Sequence, residues 1–119
     1  MPSTINYRAG DILLIPFPFT DLSSQKKRSC IIISSSEFNN FHPDLILAAI
    51  TSQIPVEISS TEYLLSKKEQ LTCGLPKPSL VKLGKIVTLD KRLIRKRLGS
   101  LPPASTKKVL TKIKKIFKL

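Results

Sequence analysis

Three cations, Lys26, Lys27 and Arg28, run directly into an apolar stretch, Cys30 to Ile33. A guanidinium held at the mouth of a rigid strand is an aimed group, because its planar fork of donors matches the oxygens of a phosphate or carboxylate. A second polar set, Thr51-Ser52-Gln53, closes the apolar run Leu45 to Ile50. Adjacent strand ends can bring a guanidinium and a hydroxyl to one spot. Such a pair can grip a phosphodiester and stabilise the charge that builds on its oxygens during attack by a neighbouring 2′-hydroxyl.

Other catalytic sets are absent from the sequence. No Walker-type loop or GxGxxG cradle is present for a nucleotide cofactor. His42, in Phe-His-Pro-Asp, is the one histidine, so no histidine pair exists for acid–base work, and a loop residue beside a proline is its simplest reading. The acids are few and scattered, which disfavours two-metal nuclease chemistry. Cys30 and Cys73 lack zinc-site spacing and read as small buried apolar groups in a reducing compartment. The expectation is a site with no metal and no cofactor.

The elements that must position these groups read mainly as strands. Gly10–Phe19 forms a first strand, which Pro16 and Pro18 must end or confine to an edge. Thr20 to Gln25 is turn-forming. Arg28–Ser34 is a second strand, and the following Ser-Ser-Glu-Phe-Asn-Asn-Phe-His-Pro-Asp stretch is loop chemistry. Leu45–Ser52 is apolar on both faces and so central. Ile54–Ser60 alternates as a fourth strand, Thr61 to Gln70 is polar and exposed, and Leu80–Val87 is another strand. Lys91–Gly99 fits a helix face or an exposed strand. A final helix, capped by Ser105, carries Val109, Leu110, Ile113, Ile116 and Phe117 on one stripe, with lysines elsewhere. The architecture is α+β, mainly β: a small twisted barrel of antiparallel strands closed by one amphipathic helix.

At 119 residues the chain is the size of one domain, 1–119, and can bury its own core. No apolar run approaches the roughly 20 residues needed to cross a bilayer, and the N-terminus lacks a signal-peptide layout, so the expected location is the cytoplasm, without membrane attachment. The 20 basic residues against 8 acids give a formal charge of +12, which calls for a polyanionic partner. Nucleic acid, an acidic protein and a membrane surface are taken in that order.

In sequence order, GDILLIPFPFTDLSSQKKR, FNNFHPDLILAAITSQ and KPSLVKLGKIVTLDKRLIRKRLGSL resemble the MazF/PemK toxins of bacterial type II toxin–antitoxin systems over nearly the whole chain. The resemblance implies an SH3-like barrel, a homodimer, and metal-independent, sequence-specific cleavage of single-stranded RNA to a 2′,3′-cyclic phosphate and a 5′-hydroxyl. It places Arg28 and Thr51 on the family's catalytic arginine and threonine. Ser52 and Gln53 continue the threonine motif, and Ser23 falls on a serine of the loop over the RNA. A cognate antitoxin, often acidic, would occupy the same groove. One position departs: Ser29 follows Arg28 where the family usually has proline.

Of the remaining candidates, Lys26 and Lys27 would meet the RNA backbone. Phe19 would stack on an unpaired base, as Phe41 also could, whereas Phe17 reads as core. Two alternatives stand beside the ribonuclease. A gyrase poison of the same fold would need a tryptophan-bearing tail, and this chain has no tryptophan. A basic RNA- or DNA-binding module without catalysis, or a degenerate toxin, would share the charge and the fold.

Overall fold

Within β2 (Lys27–Ile32) the buried side chains alternate between two apolar clusters. Ile31 joins Ile12, Ala48, Ile50, Val81 and Leu83. Cys30 and Ile32 join Leu13, Ile15, Leu45, Leu47 and Ala49. Period-two alternation with both faces apolar is the mark of a sheet covered on both sides. The computed structural model describes residues 5–16 and 27–119, and the expected turn at Thr20 to Gln25 lies outside them.

The other strands are β1 (Asp11–Pro16), β3 (Asp44–Thr51), β4 (Glu62–Leu64), β5 (Leu80–Asp90) and β6 (Lys96–Ser100). They form one antiparallel sheet in the order β4-β5-β3-β2-β1-β6. Three helices are described: α1 (Ser36–Phe41), α2 (Lys67–Thr72) and α3 (Pro103–Ile116). The sheet curls into a half-barrel with α3 against it, as expected of a mainly β barrel with a closing helix. A break in the β3–β5 register assists the curl. Ala48 lies opposite Ile86 but Ala49 lies opposite Lys82, so Leu83, Gly84 and Lys85 are extra on β5. An odd insertion inverts which face a strand's odd residues meet. Accordingly Val81 and Leu83 pack in the first cluster, while Val87 and Leu89 pack in the second.

Several local expectations are corrected. The residues expected as a fourth strand, Ile54–Ser60, are exposed and irregular, and the strand falls at Glu62–Leu64. Pro55 removes a ladder donor, and the Glu62 carboxylate accepts the Ser59 N–H at 2.9 Å, a local bond that competes with pairing. The loop expected after β2 contains α1, capped by Ser35, whose side chain accepts the Phe38 N–H at 3.2 Å. Thr61 to Gln70 holds β4 and most of α2, and Gln70 is buried. The ambiguous Lys91–Gly99 stretch resolves into a 3-10 turn and the edge strand β6. At α3, Val109 is buried and Ile113 and Ile116 pack on the core as expected, but Phe117 is exposed.

Ser105 does not cap α3. It lies inside the helix, whose N-cap position is Pro102, and its hydroxyl binds Glu69 instead. Glu69 therefore joins three elements. It closes the capping box of α2 with Ser66, and Tyr63 of β4 donates to its Oε2 at 2.6 Å. Burial alone would raise the Glu69 pKa, but hydrogen bonds from Ser105, Ser66 and Tyr63 outweigh it and hold the carboxyl below its ordinary value. A depressed folded-state pKa contributes stability that is present above the unfolded pKa of about 4.3 and disappears as pH falls through the lower folded value. Glu69→Gln should thus cost about 1 kcal/mol at neutral pH, a modest loss for a partly solvated carboxylate. In urea melts the gap from wild type should close below about pH 4.

Candidate nucleic-acid-cleaving site

The β2–β3 ladder pairs Cys30 with Ala49, Ile31 with Ala48 and Ile32 with Leu47. Continuing that register two residues sets Arg28 level with Thr51, on the side of the sheet that Cys30 and Ala49 share. Both line one cleft of about 370 Å³ at this end of the sheet, with Lys27, Ser52, Gln53 and Lys77. The aimed guanidinium and the strand-end hydroxyl inferred from sequence thus meet at one place.

Arg28 is half-buried, pairs with Ile15 of β1, and has its Nε withdrawn from solvent. These constraints limit its rotamers, so the fork is held rather than swept through solvent. Ser29, the departure from the family's usual proline, lies within β2 opposite Leu14. Thr51 Oγ1 accepts the Gln53 N–H at 3.1 Å. A hydroxyl that already accepts keeps its own hydrogen for donation, which suits it to a phosphate oxygen.

The opposite wall is Leu75 to Ser79. Leu80, the first residue of β5, pairs with Thr51 and brings this loop against the site. Its shape comes from the end of α2. The Leu75 N–H reaches the Gln70 carbonyl at 3.1 Å, and Gly74 follows the helix with φ of +70°. These are the marks of a Schellman stop. Buried Gln70 adds a bond from Nε2 to the Leu75 carbonyl at 3.1 Å, and Ser79 Oγ donates to the Lys77 carbonyl at 2.8 Å. The wall contributes Lys77, a third cation beside Lys27 and Arg28. The Ser66-Lys67-Lys68-Glu69 capping signature with Gly74 beyond it was the sequence signal that could have located this wall.

Among the described residues no carboxylate, histidine or cysteine lines the cleft, and the charged side chains that do are all cationic. Cys30 lies just beneath, but burial pushes its thiol far up, and the nearby Arg28 charge offsets only part of that. It is a core thiol, not a nucleophile. Cys73 is likewise pushed up to about 11, by burial first and then by Glu69.

Among the other predicted residues, Ser52 and Gln53 are exposed at the rim, and Lys27 is exposed at the start of β2. Phe41 is exposed at the end of α1 and is not part of the cleft lining. His42 stacks on Phe38 with ring centroids 4.2 Å apart, as befits a loop residue. Phe17, Phe19, Ser23 and Lys26 lie outside the described residues.

Comparison with known proteins places the fold. The family model described as PemK-like, MazF-like toxin of type II toxin–antitoxin system matches residues 8–117. The chain belongs to that family. Its fold matches an endoribonuclease solved with its cognate antitoxin from a mycobacterial species, at 20% identity and TM-score 0.75, covering 94% of this chain and 95% of that one. It also matches the Mycobacterium tuberculosis toxin MazF-mt6, at 21% identity and TM-score 0.71, covering 92% and 97%. MazF from Deinococcus radiodurans aligns at 15% identity and TM-score 0.73, covering 98% and 100%.

The cleft wall depends on Gly74. A Cβ there would lie 2.0 Å from the Leu98 carbonyl oxygen, in a backbone region that already costs other residues about 1–2 kcal/mol. Gly74→Ala should therefore destabilise the fold by at least about 2 kcal/mol. Gly84→Ala, where an added Cβ meets nothing within 4 Å, should stay within about 0.5 kcal/mol of wild type in the same denaturant titration.

Proposed function

We propose that this toxin is a sequence-specific, metal-independent endoribonuclease that cuts single-stranded RNA, with Arg28 and Thr51 as its catalytic pair. The observation that carries the reading is the convergence of those two residues on one cleft that, among the described residues, is lined by cations and no acid. The 2′-oxygen attacks the adjacent phosphorus, the bond to the 5′-oxygen breaks, and a 2′,3′-cyclic phosphate and a 5′-hydroxyl result. The 2′-proton leaves to water and the departing 5′-oxygen takes one up. Arginine, with a pKa above about 12, is a poor general base. Arg28 instead stabilises the pentavalent phosphate, where charge on the oxygens is greatest. Thr51 donates to a phosphate oxygen and fixes the in-line approach.

Lys27, with Lys26, meets the flanking phosphates. Ser52, Gln53 and Ser23 contact the bases or sugars, and Phe19 stacks on an unpaired base. The protein acts in the cytoplasm as a homodimer of 1–119 single-domain chains. An acidic antitoxin tail silences it by filling the same cationic cleft. The toxin–antitoxin complex among the similar folds supports such a partner.

The test is incubation of a long single-stranded RNA with the protein in EDTA, followed by mapping of the ends. Discrete cuts with 5′-hydroxyl ends are expected, and Arg28→Ala should abolish them. Arg28→Lys should lose at least about a hundredfold in rate, since it keeps the charge but not the fork. Retention of RNA without cuts would instead identify a binding module, and wild-type cleavage by Arg28→Lys would sink the forked contact.

A further inference from the structure

From Pro103 to Leu119 the chain carries six lysines and no acid. Four of them, Lys107, Lys108, Lys112 and Lys115, ring a groove of about 550 Å³ with Tyr63 and Thr111. Lys108, Lys112 and Lys115 recur at i, i+4 and i+7, a ladder of charge about 10 Å long on one helix face. None is paired with an acid among the described residues. The carboxylates nearest in the fold are already engaged: Glu69 by Tyr63, Ser66 and Ser105, and Glu62 by Lys82 at 3.8 Å and the Ser59 N–H. Like charges crowded this way oppose folding and are relieved by a polyanion.

The composition of the groove discriminates among polyanions. A membrane surface would need the apolar stripe of α3, but Val109, Ile113 and Ile116 are packed on the core. Specific protein interfaces favour arginine and aromatic anchors and are depleted in lysine, whereas this groove holds lysines and no arginine. Flexible point charges along a line suit a phosphate backbone. The groove is also close to the cleft in the order of the strands. Ile50, which lines the cleft, pairs with Val81, and Val81 pairs with Tyr63. Tyr63 is therefore two strands, about 10 Å, from Ile50.

We propose that the lysine face of α3 is a second docking site for single-stranded RNA, gripping backbone that leaves the cleft across β5 and β4. The inference rests on the ribonuclease reading for the identity of its ligand, and its test does not require cleavage. Binding of 2′-O-methyl RNA, which cannot be cut by this chemistry, is measured by fluorescence anisotropy for a long strand and for a fragment just long enough to fill the cleft. Wild type should bind the long strand more tightly. The triple variant K108Q/K112Q/K115Q should lose about tenfold on the long strand and nothing on the fragment. Its salt slope on the long strand should fall by about 2, roughly 0.7 per lysine lost. The triple arginine variant at the same positions should bind the long strand like wild type, and thermal melts should show all three proteins equally folded. These results support the second site whether or not Arg28 cleaves. Unchanged affinity and slope in the glutamine variant would overturn it. So would a change in oligomeric mass, which would make the face a contact between copies, or a loss confined to poly-glutamate binding, which would make the ligand an acidic protein.

Discussion

The register between β2 and β3 is the constraint on which the site depends. Cys30 opposite Ala49 fixes the rest of the register on those strands, and β3 ends where Thr51 comes level with Arg28. A slip of one residue would part Arg28 and Thr51 onto opposite faces and move the β2 side chains Cys30, Ile31 and Ile32 into the wrong clusters. Core burial and site geometry are thus locked together. The energy that holds the register is apolar, while the groups it presents are polar.

The same logic extends outward. The β5 insertion at Leu83 to Lys85 lets one long strand serve both clusters, and its first residue, Leu80, carries the Leu75–Ser79 wall against Thr51. The Schellman stop at Gly74 and the buried amide of Gln70 shape that wall. Three cations therefore line one cleft with a hydroxyl, and no acid is among its described lining residues. In a site so built, the proposed catalysis would be electrostatic: the cationic groups are in place before a phosphate's charge rises, and little reorganisation would be needed when it does.

Much of this was legible in the sequence because burial has a period. The doubly apolar β3, the β2 strand behind its cations, and the α3 stripe at Val109, Ile113 and Ile116 all declared themselves through spacing. Arg28 and Thr51 stood out as polar groups at the ends of apolar runs. What failed to show was local polar bonding in short segments. Ile54 to Ser60 alternates like a strand, yet Pro55 and the Ser59–Glu62 turn keep it from pairing. α1 and α2 are each 6 residues long, too short for a periodic pattern, and are set by the caps at Ser35 and Ser66. The cleft wall was invisible for another reason: Lys77 meets Thr51 only through the β3–β5 register, a long-range fact that no local window contains.

The most direct test of the central claim is a double-mutant cycle on single-turnover RNA cleavage with Arg28→Ala, Thr51→Val and the pair. If the guanidinium and the hydroxyl act on one phosphodiester, the double variant should be scarcely slower than the worse single variant. Rate losses that simply multiply would mean that the two side chains work independently, and would contradict the shared site.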